Sequence, residues 1–468
     1  MKSTHLTHLK YFLLLNILCV LILGSSCKKQ DQFLDEKPNI SLAVPVTLED
    51  FQLLLNNNLV FNLASQPALG TVSSDEYYVT SADWASAFTP EERNAYIFSK
   101  DIFQGTLITN EWMTPYRQVY YSNIVLEGIE KIDIKPGQES QYNQIKGSAL
   151  FFRSLAFYDL LGTFALPYDS ATANTDLGIP LRFSSDLNIK SVRASVKEGY
   201  DQITQDLKAS LLLLPDNSIY KTQPSKIAAL ALLARVYLSM RNYSLAYQYA
   251  DNCLSVYNTL VDFNTLTPTV NAISTSFIAE VLYHTSIENY DITDRTIAIV
   301  DSTLYNSYDV NDLRKTIFFS IVGGKIRFRG TYDYRGNKFS GPATDEIYLI
   351  RAECNARSGN TSTAMKDLND LLRTRWKKVS GLSTYVDQIA SNANDALIKI
   401  LTERKKELIF RGIRWTDLRR LNKEAQFTTT VTHIINGISY SLPPNSPLYV
   451  MPIPNDEIQL NGLPQNPR

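Results

Sequence analysis

Acidic and basic side chains that could support chemistry concentrate in residues 397–421, LIKILTERKKELIFRGIRWTDLRRL. Glu403, Glu407 and Asp417 could supply a general acid and a general base, the pair used in glycoside hydrolysis. Arginines surround these carboxylates in sequence, and a carboxylate paired with arginine has a lowered pKa that makes it a poor general acid. We therefore interpret the segment as a structural cluster of ion pairs and not as a catalytic site. Its members are Glu403, Arg404, Glu407, Arg414, Trp415 and Asp417.

Two helices must position this cluster. Apolar residues at roughly helical spacing between Leu397 and Phe410 predict the first helix. Gly412 follows the last apolar position and can adopt the left-handed conformation that ends a helix. Trp415, Leu418 and Leu421 are three residues apart and predict the second helix. We expect the ion pairs to lock these helices together.

The overall composition narrows the class of protein. The 468 residues are 44% apolar and 20% charged, as in an ordinary globular protein. Lys plus Arg (46) balance Asp plus Glu (47), so no net positive charge is available to attract nucleic acid. His284 and His433 are the only histidines beyond the N-terminal segment, and Cys253 and Cys354 each lie in a predicted helix. We therefore predict no metal site, no cofactor and two buried free thiols.

Residues 1–26 have the pattern of a secretory signal peptide. Basic residues precede the apolar run 11–24, which is shorter than the roughly 20 residues needed to span a bilayer. Small residues then lead to Cys27, and this arrangement resembles the lipobox of bacterial lipoproteins, in which the cysteine carries the lipid. We expect Cys27 to anchor the mature chain to a membrane, residues 27–40 to be a flexible tether, and 41–468 to form a single domain.

Helical periodicity dominates the mature chain, so the predicted fold class is mostly α. The clearest predicted helices are 47–58, 112–129, 142–161, 196–214, 225–240, 243–257, 346–357 and 361–376. Two helix pairs align at an offset of 118 residues, with Ala234 matching Ala352 and Ala246 matching Ala364. Small residues at helix crossings are typical of tetratricopeptide-like helical hairpins. We predict about four such pairs, with long loop-rich insertions near 70–111 and 268–341 and a few short β-hairpins.

Both insertions are rich in aromatic residues. Gly323-Gly324 and Asn436-Gly437 predict β-hairpins at 318–328 and 432–440. Trp112, Tyr116 and Tyr120 recur at helical spacing and are predicted to lie in the core. Five other aromatic residues fall in predicted loops, which often build binding surfaces: Tyr77, Tyr78, Trp84, Tyr332 and Tyr334. Aromatic planes stack on the apolar faces of sugar rings, while carboxylates bind sugar hydroxyl groups. The candidate ligand-binding residues are Asp75, Tyr77, Tyr78, Trp84, Tyr332 and Tyr334.

Several motifs resemble, in order, those of the SusD/RagB family of outer-membrane nutrient-binding lipoproteins. They are Cys27 followed by FLDEKPN, the pattern W-x-x-x-Y-x-x-V-x-x-x-N at 112–123, Phe152-Arg153, helices at 228–238 and 348–353, TERKKELIFRGIRWTDLRR at 402–420, and YVMPIP at 449–454. Arg411 departs from the family pattern, which usually has glutamate before the glycine. One ion pair is therefore expected to be rearranged or reversed.

The resemblance implies a ligand-binding lid on a TonB-dependent (SusC-like) outer-membrane transporter. Such a protein would be a surface-exposed lipoprotein of the outer membrane that captures glycans or similar nutrients for import, without catalysis. Its ligand pocket would be built from loops of the two insertions. Two alternatives remain open from the residues: a surface glycan hydrolase, and a helical-repeat scaffold that binds only protein. No motif identifies the glycan.

Overall fold

Helices form most of the regular structure in the computed structural model, which describes residues 45–468 except 107, 271, 331 and 335. The first half of the chain contains α1 (Leu48–Leu55), α2 (Asn58–Phe61), α3 (Leu69–Val72), α4 (Ser81–Ser86), α5 (Pro90–Tyr96), α6 (Asn110–Ile129), α7 (Glu139–Phe164) and α8 (Val196–Leu213). The second half contains α9 (Lys226–Ser239), α10 (Tyr243–Val256), α11 (Ser302–Asn306), α12 (Arg314–Ile317), α13 (Thr344–Arg357), α14 (Thr361–Arg373), α15 (Ala393–Glu407), α16 (Arg414–Leu421) and α17 (Asn455–Asn461). The mostly α fold class is confirmed.

The strands form two-stranded antiparallel sheets. They are β1 (Tyr77–Tyr78) with β4 (Ile299–Val300), β2 (Leu177–Pro180) with β3 (Arg193–Ser195), β5 (Phe319–Val322) with β6 (Lys325–Phe328), β7 (Lys378–Val379) with β8 (Leu382–Ser383), and β9 (Val431–Ile435) with β10 (Ile438–Leu442). Gly323-Gly324 joins β5 to β6 and Asn436-Gly437 joins β9 to β10, as predicted. Both residues of each pair have positive φ, the conformation of a tight hairpin turn.

Consecutive helices pack as antiparallel hairpins. α7 packs against α6 and α8, α9 against α10, and α13 against α14, while α10 lies on α13 and α13 on α15. The four alanines of the repeat, Ala234, Ala246, Ala352 and Ala364, have no exposed surface. Because a methyl group at these crossings lets the helices approach closely, the predicted tetratricopeptide-like hairpins are confirmed.

A buried polar contact ties the first helices of this scaffold together. Arg153 of α7 donates to both carboxylate oxygens of Asp206 in α8, at 2.7 and 3.0 Å. It also donates to Asn123 Oδ1 of α6 at 3.1 Å. Asn123 in turn donates to the carbonyl oxygen of Arg182, so two residues of the family-like motifs hold α6, α7, α8 and the following loop in register.

Helix capping explains where the structure differs from the predicted loops in 70–111. Thr80 caps α4, and Thr89 with Glu92 forms a capping box at α5, where Pro90 occupies the first helical position. α15 ends at Glu407, earlier than predicted, so the apolar residues after it lie in a turn that includes Gly412 (φ +71°). Within the described residues, no helix combines the length and apolarity needed to cross a membrane. The signal peptide 1–26, Cys27 and the tether 27–40 lie outside the described residues.

Candidate functional site

Residues 397–421 form part of a buried network of ion pairs. The Oε1 atom of Glu407 accepts from Nε of Arg375 at 2.8 Å, and its Oε2 atom accepts from Nη1 of Arg314 at 2.9 Å. Arg314 also donates to Glu403 at 2.6 Å, and Arg375 to Glu280 at 2.9 Å. The side chains of Glu407 and both arginines have no exposed surface. The network therefore ties α15 to α12 and to the turn after α14.

These carboxylates are held ionised. Burial by itself would raise the pKa of Glu403, but the charge of Arg314 holds it below its ordinary value. The pKa of Glu407 is likewise lowered against burial, by Arg375 and Arg314. A carboxyl group that stays ionised at neutral pH cannot act as a general acid. The arrangement therefore supports a structural role for the cluster.

A second network begins at Arg404, the residue that follows Glu403 in α15. Arg404 donates to Asp417 of α16 at 2.8 Å, and Asp417 also accepts from Arg420 at 2.8 Å. Arg420 continues the chain with two hydrogen bonds to Glu353 of α13, at 2.6 and 2.8 Å. Burial opposes ionisation of Asp417, but the two arginines lower its pKa to about 2. α13, α15 and α16 are thereby clamped together, as the sequence predicts for the last two.

Arg411, which departs from the family pattern, forms a buried ion pair with Asp345 of α13. Its Nη1 atom lies 3.1 Å from the carboxylate of Asp345, and Nη2 donates to the carbonyl oxygen of Gly341 at 3.2 Å. The guanidinium lies 4.8 Å from the ring centre of Tyr332 and 4.5 Å from that of Phe339. The positive charge of Arg411 is therefore neutralised by Asp345 in the first turn of α13 and is further stabilised by two aromatic faces.

Trp415 packs α16 against α3 and the C-terminal segment. Its ring lies 4.8 Å from that of Tyr449, centre to centre. A β-carbon added to Gly70 would lie 2.6 Å from the Trp415 ring, so this close approach requires glycine at position 70. The tryptophan of the cluster is therefore a packing residue between distant parts of the chain.

Three acidic side chains meet inside the first network. Within the part of the chain that the structure describes, Glu280, Asp345 and Glu407 form the one group whose ligand atoms, all within 4.8 Å of one another, could hold a metal ion. Arg375 contacts two of these carboxylates and Arg411 the third. Because arginine side chains already contact all three carboxylates, their negative charge is balanced within the protein.

Three of the six candidate ligand residues contact the 397–421 segment. Asp75 forms ion pairs with Arg414 at 2.6 Å and Lys405 at 2.7 Å. Tyr77 is buried against Phe410, with ring centres 5.7 Å apart. Tyr332 is also buried, with its ring centre 4.8 Å from the guanidinium of Arg411. Its hydroxyl group donates to Asp345 at 2.7 Å. Both tyrosines are predicted to lie in loops that build a binding surface, but the insertions fold back onto this segment and bury the two rings.

The other three candidates reach the surface to different extents. Tyr78 and Tyr334 are 47% and 45% exposed. Trp84 is half-buried on α4, and its indole N–H donates to the carbonyl oxygen of Arg93 at 3.0 Å. Ligand contact by all six residues stays a prediction, and solvent access favours Tyr78, Trp84 and Tyr334.

A pocket of about 300 Å³ opens in the second insertion, between residues 289–298 and 328–338. It adjoins the loop that carries Tyr334 and was not anticipated from the sequence. The side chains of Asp291 and Arg295 are exposed and make no hydrogen bond or ion pair within the described ranges. Lys338 is buried, and burial lowers its pKa to about 8. The residues with polar side chains that line the pocket are Asn289, Tyr290, Asp291, Thr293, Asp294, Arg295, Arg329, Asn337 and Lys338.

A larger groove of about 440 Å³ runs along α6, between the loop at 180–191 and α17. Trp112 is buried there as predicted, but Tyr116 and Tyr120 are only half-buried. The polar groups of this groove are mostly committed within the protein. Arg182 donates to loop carbonyl oxygens and the hydroxyl group of Tyr116 to the carbonyl oxygen of Pro180.

Within the described residues, the two histidines are buried and engaged in packing. His433 stacks on Tyr96, with ring centres 3.9 Å apart, and its nitrogens face the carbonyl oxygens of Tyr96 and Ser74. The Nε2 atom of His284 lies 2.9 Å from the Asp333 carboxylate. Cys253 and Cys354 are buried free thiols, as predicted. Neither histidine reaches the pocket of the second insertion.

Comparison with known proteins assigns the chain to a family. A model described as "Starch-binding associating with outer membrane" matches residues 32–238, and the "SusD family" model matches residues 344–468. The chain belongs to the SusD/RagB family. Among curated proteins, this SusD/RagB member is similar to SusD-like protein P2 of Formosa agariphila, with 23% identity over 430 residues covering 77% of this chain and 80% of the relative.

Solved structures share the fold of this SusD/RagB protein. A putative sugar binding protein from Bacteroides vulgatus is 22% identical with a TM-score of 0.68, covering 91% of this chain and 99% of its own. A SusD superfamily protein from Bacteroides thetaiotaomicron is 22% identical with a TM-score of 0.70, covering 90% and 100%. A laminarin-binding SusD-like protein is 18% identical with a TM-score of 0.61, covering 90% and 98%.

Proposed function

We propose that this protein is a lipid-anchored subunit of the outer membrane that captures glycans and delivers them to a TonB-dependent, SusC-like transporter. Its family supports carbohydrate binding. The anchor is assigned to Cys27, and the mechanism is capture and release without bond cleavage. The paired, ionised carboxylates of the 397–421 segment support a binding function over hydrolysis.

The pocket of the second insertion carries this proposal. Its volume of about 300 Å³ falls at the lower end of the ~300–1,000 Å³ typical of small-ligand sites. Asp291 and Arg295 are exposed and provide an acceptor and a donor that the described part of the chain leaves available. Sugar hydroxyl groups both donate and accept hydrogen bonds, so this mixture of carboxylate, amide and guanidinium groups matches them. The groove along α6 offers fewer uncommitted polar groups.

Aromatic side chains at the surface complete the proposed site. We assign stacking on sugar rings to Tyr78, Trp84 and Tyr334. Asp75, Tyr77 and Tyr332 then have a supporting role, because they hold the two insertions against the 397–421 segment. The six candidates thus divide into surface groups that touch ligand and buried groups that fix the loops.

The test is calorimetric titration of soluble protein that begins at residue 28, with maltoheptaose and laminarihexaose as probes. Arg295→Ala and Tyr334→Ala are expected to weaken binding about tenfold or more, which corresponds to ~1.4 kcal/mol or more. The matched controls are Arg117→Ala, an exposed arginine in the α6 groove, and Tyr247→Ala, with 37% exposure on α10. If only Arg117→Ala lost binding, the glycan site would be the groove along α6 and not the pocket of the second insertion. If no glycan produced a heat of binding, the result would argue against carbohydrate capture.

Two further measurements separate the remaining alternatives. Release of reducing ends from a bound oligosaccharide would identify a hydrolase and contradict capture without cleavage. For the transporter, full-length protein expressed in its own cells is expected to co-purify with a TonB-dependent outer-membrane protein. Cys27→Ala is expected to release the protein from the membrane fraction, and persistence of the variant in that fraction would contradict the proposed anchor.

A further inference from the structure

Lys338 is a buried cation that lines the pocket of the second insertion without a counterion in contact. The residue is only 8% exposed. Its Nζ atom makes no hydrogen bond or ion pair within the described residues, and it is not one of the unpaired side-chain atoms that solvent cannot reach. Burial lowers the pKa of Lys338 only to about 8, so the group remains largely protonated at neutral pH. A buried charge is costly unless it is paired, so this ammonium group favours a ligand that supplies the partner.

Further cations surround Lys338 on the two segments that form the pocket. Arg295 and Arg329 also line it, and Lys325 and Arg327 lie on β6, which leads into it. None of these four side chains forms an ion pair with another residue that the structure describes. Arg327 and Arg329 donate instead to main-chain carbonyl oxygens, at 2.8 and 3.1 Å. A carbonyl oxygen satisfies a donor but leaves its positive charge uncancelled.

Two carboxylates line the same pocket, and their surroundings limit how strongly they oppose an anion. Asp294 accepts from the backbone N–H and the hydroxyl group of Thr296, at 2.8 and 2.6 Å, and forms no ion pair with Lys338 in the described ranges. Asp291 is exposed, so water and salt screen its charge. The lining side chains thus carry three cations and two carboxylates, and β6 adds two more cations, in a chain whose net charge is −1.

We propose that the pocket of the second insertion selects glycans that carry an anionic group, a carboxylate or a sulfate, and that Lys338 binds this group. The inference rests on the proposed function, because it names the class of glycan for the same pocket. An ammonium group has three donors and no acceptor, and its hydrogen bonds to an ionised acceptor are roughly twice as strong as those between neutral groups. Hydroxyl groups of the same ligand donate to Asp291, so the pocket uses both signs of charge.

Calorimetric titration with a matched pair of glycans tests the preference. Soluble protein that begins at residue 28 is expected to bind tetragalacturonate about tenfold or more tightly than its fully methyl-esterified form, which has the same backbone without the charge. Lys338→Met removes the ammonium group and should abolish this preference. Arg295→Gln changes an exposed residue, so it leaves the core intact, and it should reduce the preference. Lys135→Met, exposed in the loop between α6 and α7, is the control and should keep it.

A second matched pair distinguishes the two anionic groups. A preference for a sulfated ι-carrageenan tetrasaccharide over its desulfated form, without one for tetragalacturonate, would identify the group as sulfate and support the inference. Equal affinity for the charged and neutral members of both pairs would overturn the inference and leave capture of neutral glycans standing. A preference that Lys338→Met retains would overturn the assignment to Lys338. No heat of binding with any charged or neutral glycan would overturn the proposed function as well.

Discussion

Neutralising Glu407 should lower the free energy of unfolding of this protein by more than the loss of a surface ion pair does. Glu407→Gln keeps the shape of the side chain but removes the charge that faces Arg314 and Arg375, at 2.9 and 2.7 Å. Removing one partner of a buried ion pair costs about 3–5 kcal/mol. Both arginines keep other carboxylates, since Arg314 contacts Glu403 and Arg375 contacts Glu280. We therefore expect the lower end of that range, about 3 kcal/mol.

Urea denaturation followed by far-UV circular dichroism measures this loss of stability. Asp201→Asn is the control, because the Lys197–Asp201 pair is exposed (47% and 57%) and exposed ion pairs add little to stability. The folded-state pKa of Glu407 is depressed, so its contribution is present above the unfolded-state pKa and is lost as pH falls through the folded-state value. Wild type and Glu407→Gln should therefore converge in acid.

Two outcomes would refute this reasoning. One is a destabilisation by Glu407→Gln no larger than that by Asp201→Asn at neutral pH. The other is a folded Glu407→Gln protein that binds oligosaccharide normally but has lost a hydrolytic activity that the wild type shows, which would make Glu407 catalytic.

Three further predictions concern buried groups. Burial raises the pKa of Glu111 to about 8, above its unfolded value, so the free energy of unfolding should fall as pH rises from about 4.5 to about 8. Urea midpoints measured across this range should show the decline in wild type and a smaller decline in Glu111→Gln. Gly341→Ala would place a β-carbon 1.9 Å from a main-chain carbonyl oxygen and should lower the free energy of unfolding by about 3 kcal/mol. Gly162→Ala lies in α7, where a β-carbon would have no neighbour within 4 Å, so it should be neutral or slightly stabilising in the same urea assay. Equal effects of the two variants would contradict the packing. Burial raises the pKa of the Cys253 thiol to about 12 and that of Cys354 above its ordinary value, so neither should react with a disulfide reagent until urea unfolds the chain, and fast labelling of native protein would contradict their burial.

Local patterns were enough to locate most helices. The first helix has the capping box that Thr47 and Asp50 predict, and the tight turns at Gly323-Gly324 and Asn436-Gly437 lie where glycine and asparagine permit positive φ. These features depend on residues within a few positions of one another. The capping box of Thr89 and Glu92 is a local pattern of the same kind, and it marks the start of α5 within the region predicted as a loop.

The partners of the charged cluster were not predictable in the same way. Glu407 is paired with Arg314 and Arg375, which lie far from it in the chain and belong to no motif with it. Likewise, nothing in the neighbourhood of Tyr77 distinguishes it from Tyr78, yet one is 3% exposed and the other 47%. Adjacent residues on β1 point to opposite faces, and only the position of Phe410 against one face decides which of the two is buried.

The sequence by itself determined the helical hairpins, the chemical nature of the 397–421 cluster and the resemblance to the SusD/RagB family, because periodicity, capping and composition act over short distances along the chain. Tertiary structure alone decided which aromatic residues stay at the surface, where the pocket of the second insertion opens, and which buried cation lines it. Burial and pairing depend on segments that are distant in sequence, and the packing of those segments fixes whether a side chain meets solvent, a ligand or another side chain.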